Sequence, residues 1–445
     1  MKTKPDIFDL GYIYFSVGLD FEKKRSKSYD KYFKGYLGGI IYFLFRFVYS
    51  LCYQGWRFPK LSKKQSQCLF VGFSNNNRRS LEPIINSLAP NSVGVLTDNR
   101  KIPMWRMYLH AFPYLFDFFR DIRKATPEQK EIMKLRFIFF WRGYGCPGFA
   151  QDLLDFYNPK VLVVANDHLF YYRALIKEAN KRGVKTIYVQ HAAVTNKFPP
   201  LEFSYSFLDG KDSVEKYKTA GNNSGNIFLL GGVRFDAISH TAFHSIDLYR
   251  VGVAINLLDD DELVKEICKK LKNLTTKKPI EVVLRPHPAV LYKPWVEWCQ
   301  INGVSISLPS EQSSFDYLES LNLLISNQSS IHLDAAMCHT PSLIYNLATT
   351  IPDDGYGFLR NGLVKEYHSI DDIKSVIESL DNFVYDVDIV RLYNGSYGSP
   401  YEGHVASTIA NVIMHILNGD DMAFISKSDF VCTTYSDKLK VYRAR

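Results

Sequence analysis

A chain of 445 residues is longer than one ordinary hydrophobic core supports, so two domains of roughly 150–250 residues are expected. Apolar residues make up 46% of it and charged residues 22%, the proportions of a globular protein; with no repeat or low-complexity tract, solenoid and disordered classes are excluded. The formal net charge is +8, and basic residues gather near the ends (Lys2, Lys4, Lys23–Arg25, Lys27, Lys31 and Lys34, then Lys438, Lys440, Arg443 and Arg445); no nucleic-acid motif accompanies them, so an anionic membrane surface is the expected partner, at about 1 kcal/mol per basic side chain close to lipid.

Residues 1–66 read as a basic, aromatic N-terminal extension. Its opening, MKTKPDIFDL, has no apolar core directly after its charges, so no signal peptide is expected. Within it, Tyr36–Tyr53 holds eighteen residues and one charge, Arg46. A packed helix, a helix lying in a membrane interface and a span all fit that length. The central arginine weighs against a span, while the many Tyr and Phe residues and basic flanks suit the interface. The seven cysteines (Cys52, Cys68, Cys146, Cys268, Cys299, Cys338 and Cys432) are scattered, with no C-x-x-C pair. That pattern argues against a disulfide framework and a zinc site, and for a reducing cytoplasm.

Residues 67–240 are expected to form a first Rossmann-like domain. Cys68–Gly72 is a short apolar strand, followed by the loop Phe73–Arg79, a helix over Ser80–Leu88 and a strand over Ser92–Leu96. Ser74, Asn75, Asn76 and Asn77 sit at that strand's carboxyl end, where they would hold a hydroxyl-rich ligand or simply cap a turn. Residues 101–145 are helical and unusually aromatic, and Thr126–Pro127–Glu128–Gln129 opens one helix as a capping box. Next come a strand over Lys160–Ala165, a helix over Tyr171–Arg182 and a strand over Val184–Gln190. The first strand ends in Asn166–Asp167–His168 and the second in Gln190–His191. Carboxyl ends of neighbouring parallel strands lie close together, so Asp167 and His191 are candidates to face one site. Beyond Asp209–Gly210, a helix over Val214–Ala220 and a strand over Asn226–Leu230, the run Gly231–Asp236 reads as the crossing between domains, with Arg234 able to reach a phosphate.

Residues 241–420 repeat the alternation: strands over Val251–Leu257, Ile280–Leu284 and Val304–Leu308, helices over Asp260–Leu274 and Ser314–Leu321, then the stretch Asn322–Asn346. That stretch has a buried strand, Leu323–Ser326, and a polar loop, Asn327–Ser330, with Ser329 and Ser330 at the start of a helix, where unpaired N–H groups favour an anion. Arg285–Pro286–His287–Pro288 closes the Ile280 strand with a cation and an imidazole. The acidic run Asp259–Glu262 sits at a helix start, where carboxylates suit the dipole. Residues 421–445 read as a basic tail packed on the surface. The fold class expected is α/β, two Rossmann-like domains with an interdomain cleft, plus the N-terminal helical extension.

No G-x-G-x-x-G follows a first strand, and no P-loop, G-x-S-x-G or H-E-x-x-H is present, which disfavours dinucleotide oxidoreductases, kinases, elbow hydrolases and zincins. What remains is Q-H and G-G-V-R-F-D at strand ends, R-P-H-P, and a Ser-Ser helix start. Over residues 160–346 this set resembles the GT-B transferases of bacterial surface polysaccharides: the capsule and polysialic-acid transferases that use CMP-activated sugars, and the teichoic-acid CDP-glycerol glycerophosphotransferases. The resemblance implies that His287 and Pro288 contact the donor, that Arg285 supports them, and that Asn327, Ser329, Ser330 and Arg234 complete the donor site. His191 takes the place of a strand-end histidine that serves as base. The chain departs from the glycerophosphotransferase pattern at Ala192, where glycine is usual, and at Gly232–Asp236, which tilts the reading toward a sugar transferase. Asp209–Gly210 matches only in part the acidic-acidic-Gly motif of sialyltransferases, so the base is either His191 or Asp167, with Asn75, Asn76 and Gln190 on the acceptor.

The expected chemistry uses neither metal nor bound cofactor. A nucleotide-activated sugar, CMP-linked, is the co-substrate; donor-site cations stabilise the leaving phosphate, and the base takes the acceptor's proton. The acceptor is a glycan or lipid-linked glycan and the location the inner face of the cell membrane, with the protein peripheral to it. Three alternatives stand beside this reading: a CDP-glycerol or other polyol-phosphate transferase, a non-catalytic nucleotide-sugar-binding subunit, and a sugar-nucleotide epimerase.

Overall fold

The computed structural model describes residues 4–25, 35–238, 247–256, 259–288, 290–349, 354–420, 430–436 and 438–444. Lys2, Lys27, Lys31, Lys34 and Arg445 of the basic ends lie outside the described residues. The chain forms two compact units, Met1–Arg234 with His404–Arg445, and Phe235–Gly403. Each is built on a parallel sheet, so the α/β class with two Rossmann-like units and preceding helices is what the chain adopts.

The first unit holds eight strands: β1 (Cys68–Val71), β2 (Gly94–Leu96), β3 (Val161–Val164), β4 (Lys185–Val189), β5 (Glu202–Leu208), β6 (Ser224–Leu229), and further on β13 (Phe430–Ser436) and β14 (Leu439–Ala444). Their order is β13-β14-β6-β5-β4-β3-β1-β2, parallel except for the β13–β14 pair. CLFV and VLVV are apolar at every position because both faces of a helix-covered parallel sheet are buried, and β1 and β3 are indeed buried throughout. Val71 aligns with Val164, Val164 with Tyr188, and Val189 with Phe207, so the carboxyl ends of β1, β3, β4 and β5 form one continuous edge. The N-terminal helices belong to this unit: Ile7, Leu10, Phe43 and Phe58 share a core with Trp141, Phe149 and Leu175. Thr126 closes its capping box with Gln129, and Pro127 takes the first helical position.

The second unit holds β7 (Tyr249–Ala254), β8 (Ile280–Arg285), β9 (Ser305–Ile306), β10 (Leu323–Ser326), β11 (Ser342–Tyr345) and β12 (Lys365–Tyr367), all parallel in the order β12-β11-β10-β7-β8-β9. Strand order reverses on the two sides of β7, the doubly wound arrangement. The same reversal occurs in the first unit between β1 and β3. In such sheets ligands bind outside the carboxyl ends at the reversal.

Two expectations are corrected. Of the segment expected as a surface tail, residues 430–436 and 438–444 instead extend the sheet: β14 continues the first sheet beside β6, with Tyr442 opposite Phe228 and stacked on it at 4.8 Å, while residues 421–429 lie outside the described residues. Residues 404–420 do not end the second unit either. The Val405–Asn418 helix packs on the Asn75–Asn86 helix of the first, burying Val405, Ile409, Val412 and Ile413. Backbone pairing and apolar burial outweigh the basic side chains, which stay at the solvent side of an edge hairpin.

Candidate functional site

At the reversal point of the first unit the chain leaves β1 through Phe73–Ser74 and β3 through Asn166–Leu169. Ser74 caps the Asn75–Asn86 helix by accepting from the Asn77 N–H. Asn75 and Asn76 therefore lie on the first helical turn, exposed, rather than in a loop, and the Asn75 Oδ1 accepts from Arg78 at 2.6 Å. Asn166 Oδ1 accepts from the N–H groups of His168 and Leu169 at 3.2 and 3.0 Å, a side-chain turn that fixes the two residues after it.

Those residues carry the chemistry. Asp167 is 2% exposed, and each of its oxygens is taken: His168 Nδ1 donates to Oδ1 at 2.8 Å, and the Tyr217 hydroxyl donates to Oδ2 at 2.5 Å. Burial pushes the Asp167 carboxyl up, but the His168 hydrogen bond and charge, with Tyr217 and His191 adding to them, hold it below the usual carboxylate range. An ionised carboxylate only accepts, so Nδ1 of His168 must be the donor and Nε2 is left as the accepting atom of the neutral ring. The reading of Asp167 as a base acting directly on an acceptor does not survive this geometry; it orients His168. The His168 ring lies 4.6 Å from that of Phe198 and 5.9 Å from that of His191, to which it is nearly parallel. His191 is half-buried and its Nδ1 has no hydrogen-bond partner. Burial, reinforced by His168 and opposed by Asp167, lowers its pKa to about 4, so it is neutral at pH 7.

Gln190, expected on the acceptor, is instead spent inside the fold. Its Oε1 accepts from the Asp209 N–H and its Nε2 donates to the Ala192 carbonyl, both at 3.0 Å, which ties the exits of β4 and β5 together.

In the second unit the reversal lies between β7 and β10, and the loops beyond them interlock. Asn256 Nδ2 donates to the Gln328 carbonyl at 2.7 Å, and Asn327 Nδ2 donates to Asp259 Oδ1 at 2.9 Å. Burial raises the Asp259 carboxyl despite the Asn256 and Asn327 donors. Asp260, its neighbour, caps the following helix through the N–H groups of Glu262 and Leu263. Ser330 is the N-cap of the Ile331–Met337 helix but makes no side-chain capping bond, and Ser329 Oγ accepts from the Ile331 N–H at 3.4 Å. Both serines are partly exposed. His332 is fully buried and its Nε2 donates to the Asn327 carbonyl at 3.0 Å, a structural role.

One strand away, Arg285 ends β8 beside Ala254, which in turn sits beside Ser326. Arg285 and Ser326 are thus two strand spacings apart, about 10 Å. The guanidinium donates to Ser307 Oγ at 2.6 Å and to the Gln312 carbonyl at 3.0 Å, and it lies over the Tyr317 ring at 5.1 Å. It braces the 307–312 loop. His287 is half-buried, its pKa lowered by burial, and Pro288 is exposed. Arg234 lies half-buried in the 3-10 turn Val233–Ala237 at the end of the first unit.

His168 and Tyr217 are functional candidates that the sequence reading did not select. His168 was visible as a strand-end residue; Tyr217 sits on the Lys211–Thr219 helix next to core positions and carries no local mark. A cavity of about 350 Å³ lined by Lys4, Asp9 and Lys177 belongs to a different place, near the far end of the Phe170–Lys181 helix. Its lysines are paired, Lys4 with Asp121 and Lys177 with Asp9 and Glu202. Among the described residues no group of three or more His, Cys, Asp or Glu side chains is placed to hold a metal ion.

No protein-family model matches the chain, and no curated protein matches it. Solved structures do. UDP-GlcNAc 2-epimerase from Neisseria meningitidis bound to UDP-GlcNAc is 14% identical at a TM-score of 0.47, covering 79% of this chain and 99% of its own. The epimerase from Methanocaldococcus jannaschii is 13% identical at 0.45, covering 78% and 99%. The wall teichoic acid polymerase TagF is 12% identical at 0.43, covering 82% of this chain and 91% of its own. At these identities and scores the likeness assigns no role to any residue of this chain.

Proposed function

We propose that this chain is a transferase that moves a group from a cytidine-nucleotide donor onto a hydroxyl of a glycan or lipid-linked glycan. The observation that carries the reading is the buried Asp167 holding His168 by Nδ1 at the carboxyl edge of the first sheet. His168 Nε2 takes the acceptor proton as the acceptor oxygen bonds to the donor's anomeric carbon. The bond from that carbon to the nucleotide phosphate breaks, and the Asp167 carboxylate stabilises the imidazolium. Neutral His191 flanks the base, and Asn75 and Asn76 offer amides to acceptor hydroxyls. In the second unit His287, Pro288, Asn327, Ser329 and Ser330 take the donor, with Arg285 bracing their edge. We place the enzyme at the inner face of the membrane, with neither metal nor bound cofactor in the reaction.

The first donor class is a CMP-linked acidic sugar. A second, a CDP-polyol, is favoured by a histidine at the end of β4 beside the Asp–His pair; attack is then on phosphorus, with CMP again leaving. Equilibrium binding of CMP-sugars, CDP-glycerol and UDP-sugars to the full chain, followed by product analysis with the tightest binder, separates them. Binding of no cytidine nucleotide overturns the donor assignment. Undiminished transfer by His168→Ala overturns the mechanism.

A further inference from the structure

The Gly35–Tyr53 helix has one face built into the first unit. A Cβ on Gly39 would lie 2.5 Å from the Phe137 ring, Phe43 is fully buried and stacked on Trp141 at 3.7 Å, and Phe47 meets Phe112 edge-on at 5.5 Å. The opposite face is exposed among the described residues. Leu37, Ile41, Leu44, Phe45, Val48 and Tyr49 are all exposed, Leu37 to 73% and Phe45 to 59%. Their spacing of four, three, one, three and one residues makes a single stripe along the helix, which Tyr53 and Trp56 continue. Scattered apolar side chains on a surface need no explanation, but an unbroken row of large ones marks an interaction site.

Charge says what covers it. Residues 31–66 contain seven Lys and Arg and no Asp or Glu. Arg57, Lys60, Lys63 and Lys64 are exposed just past the helix, and Arg46 lies over the Tyr49 ring at 5.3 Å. Tyr36 at one end of the stripe and Tyr49, Tyr53 and Trp56 at the other are side chains suited to the level of lipid headgroups.

We propose that this face docks on an anionic lipid bilayer, with the helix lying in the plane of the interface while its inner face stays in the protein core. By length and composition the helix could also cross a membrane. Crossing would withdraw Phe43 from Trp141 and Gly39 from Phe137, opening the core of the first unit. Lying flat buries the exposed stripe and leaves those contacts intact. The proposal gives the membrane partner of the reading above a surface, and it stands independently of the transfer chemistry.

The test is co-sedimentation of the full chain with phosphatidylcholine vesicles, with and without phosphatidylglycerol. Wild-type protein should prefer the anionic vesicles and return to solution at raised salt. Leu44→Glu with Val48→Glu should weaken vesicle binding by more than about tenfold. Replacing Arg57, Lys60, Lys63 and Lys64 with Gln should bring binding on anionic vesicles down to that on neutral ones. Thermal unfolding of both variants should match wild type, since every altered side chain is exposed. Undiminished binding by the Glu pair overturns the proposal. Binding that survives alkaline carbonate extraction also overturns it, in favour of a span. A wild-type dimer that the Glu pair splits, with no vesicle binding, assigns the face to a second copy of the chain.

Discussion

Tyr217 donates to the oxygen of Asp167 that His168 leaves open, from a helix fifty residues further along the chain. With Tyr188 only 3.2 Å from the Tyr217 hydroxyl, the carboxylate is enclosed on the side away from His168. Tyr217→Phe removes one donor and one of the influences that hold Asp167 low, so the carboxyl's pKa should rise and its grip on His168 weaken. The expected loss in kcat is about tenfold. A purely structural tyrosine would lower stability and leave kcat in place.

His168→Ala should reduce kcat by about 10²–10⁴-fold at pH 7.5 with little change in donor affinity, because the donor residues proposed above are on the second unit. Asp167→Asn keeps the shape but exchanges the ionised acceptor for an amide, which permits the other imidazole tautomer, and should fall within the same range. His191→Gln, which removes no hydrogen bond at Nδ1, should cost less than His168→Ala. A His191 variant that is the more damaged of the two would return the role of base to His191.

Much of this was legible in the residues and some was not. VLVV and LLIS, bounded by polar residues, are recognisable as buried strands because a parallel sheet demands apolar side chains on both faces. The strand-end positions of Asp167, His191, His287 and Asn327 follow from that alone. β5, EFSYSFL, escaped because its serines and leading glutamate interrupt the apolar run. The pairing of β14 with β6 escaped because the entire second unit lies between them in sequence. Gln190 looked available to a ligand because its partners, Ala192 and the Asp209 N–H, exist only once β4 and β5 are side by side.

Arg285→Lys separates bracing from donor contact. Lysine offers no planar fork, so it cannot reproduce the paired bonds to Ser307 and Gln312 or the stacking on Tyr317. The second unit should lose about 1–2 kcal/mol of stability, read from its urea midpoint. Donor affinity at low temperature, where the fold is intact, should change less than threefold or so. A large, salt-dependent loss of donor affinity with unchanged stability would place the guanidinium on the phosphate instead.

Acid should unfold this protein through two histidines, one in each unit. Burial lowers the pKa of both His191 and His332 to about 4, whereas an unfolded histidine titrates near 6.5. Above pH 6.5 both states hold these rings neutral and the histidines leave stability unchanged with pH. Between about 6.5 and 4 the unfolded chain binds protons that the native state refuses, so stability falls as pH falls and levels off below the native value. At pH 5 the loss should be on the order of 2 kcal/mol per histidine, and urea midpoints measured from pH 7.5 down to 4.5 would trace it. His332→Gln keeps a donor for the Asn327 carbonyl but does not titrate, so it should flatten the part of the slope that belongs to the second unit. An unchanged slope in that variant would mean that other groups, the buried carboxylates among them, drive the acid transition.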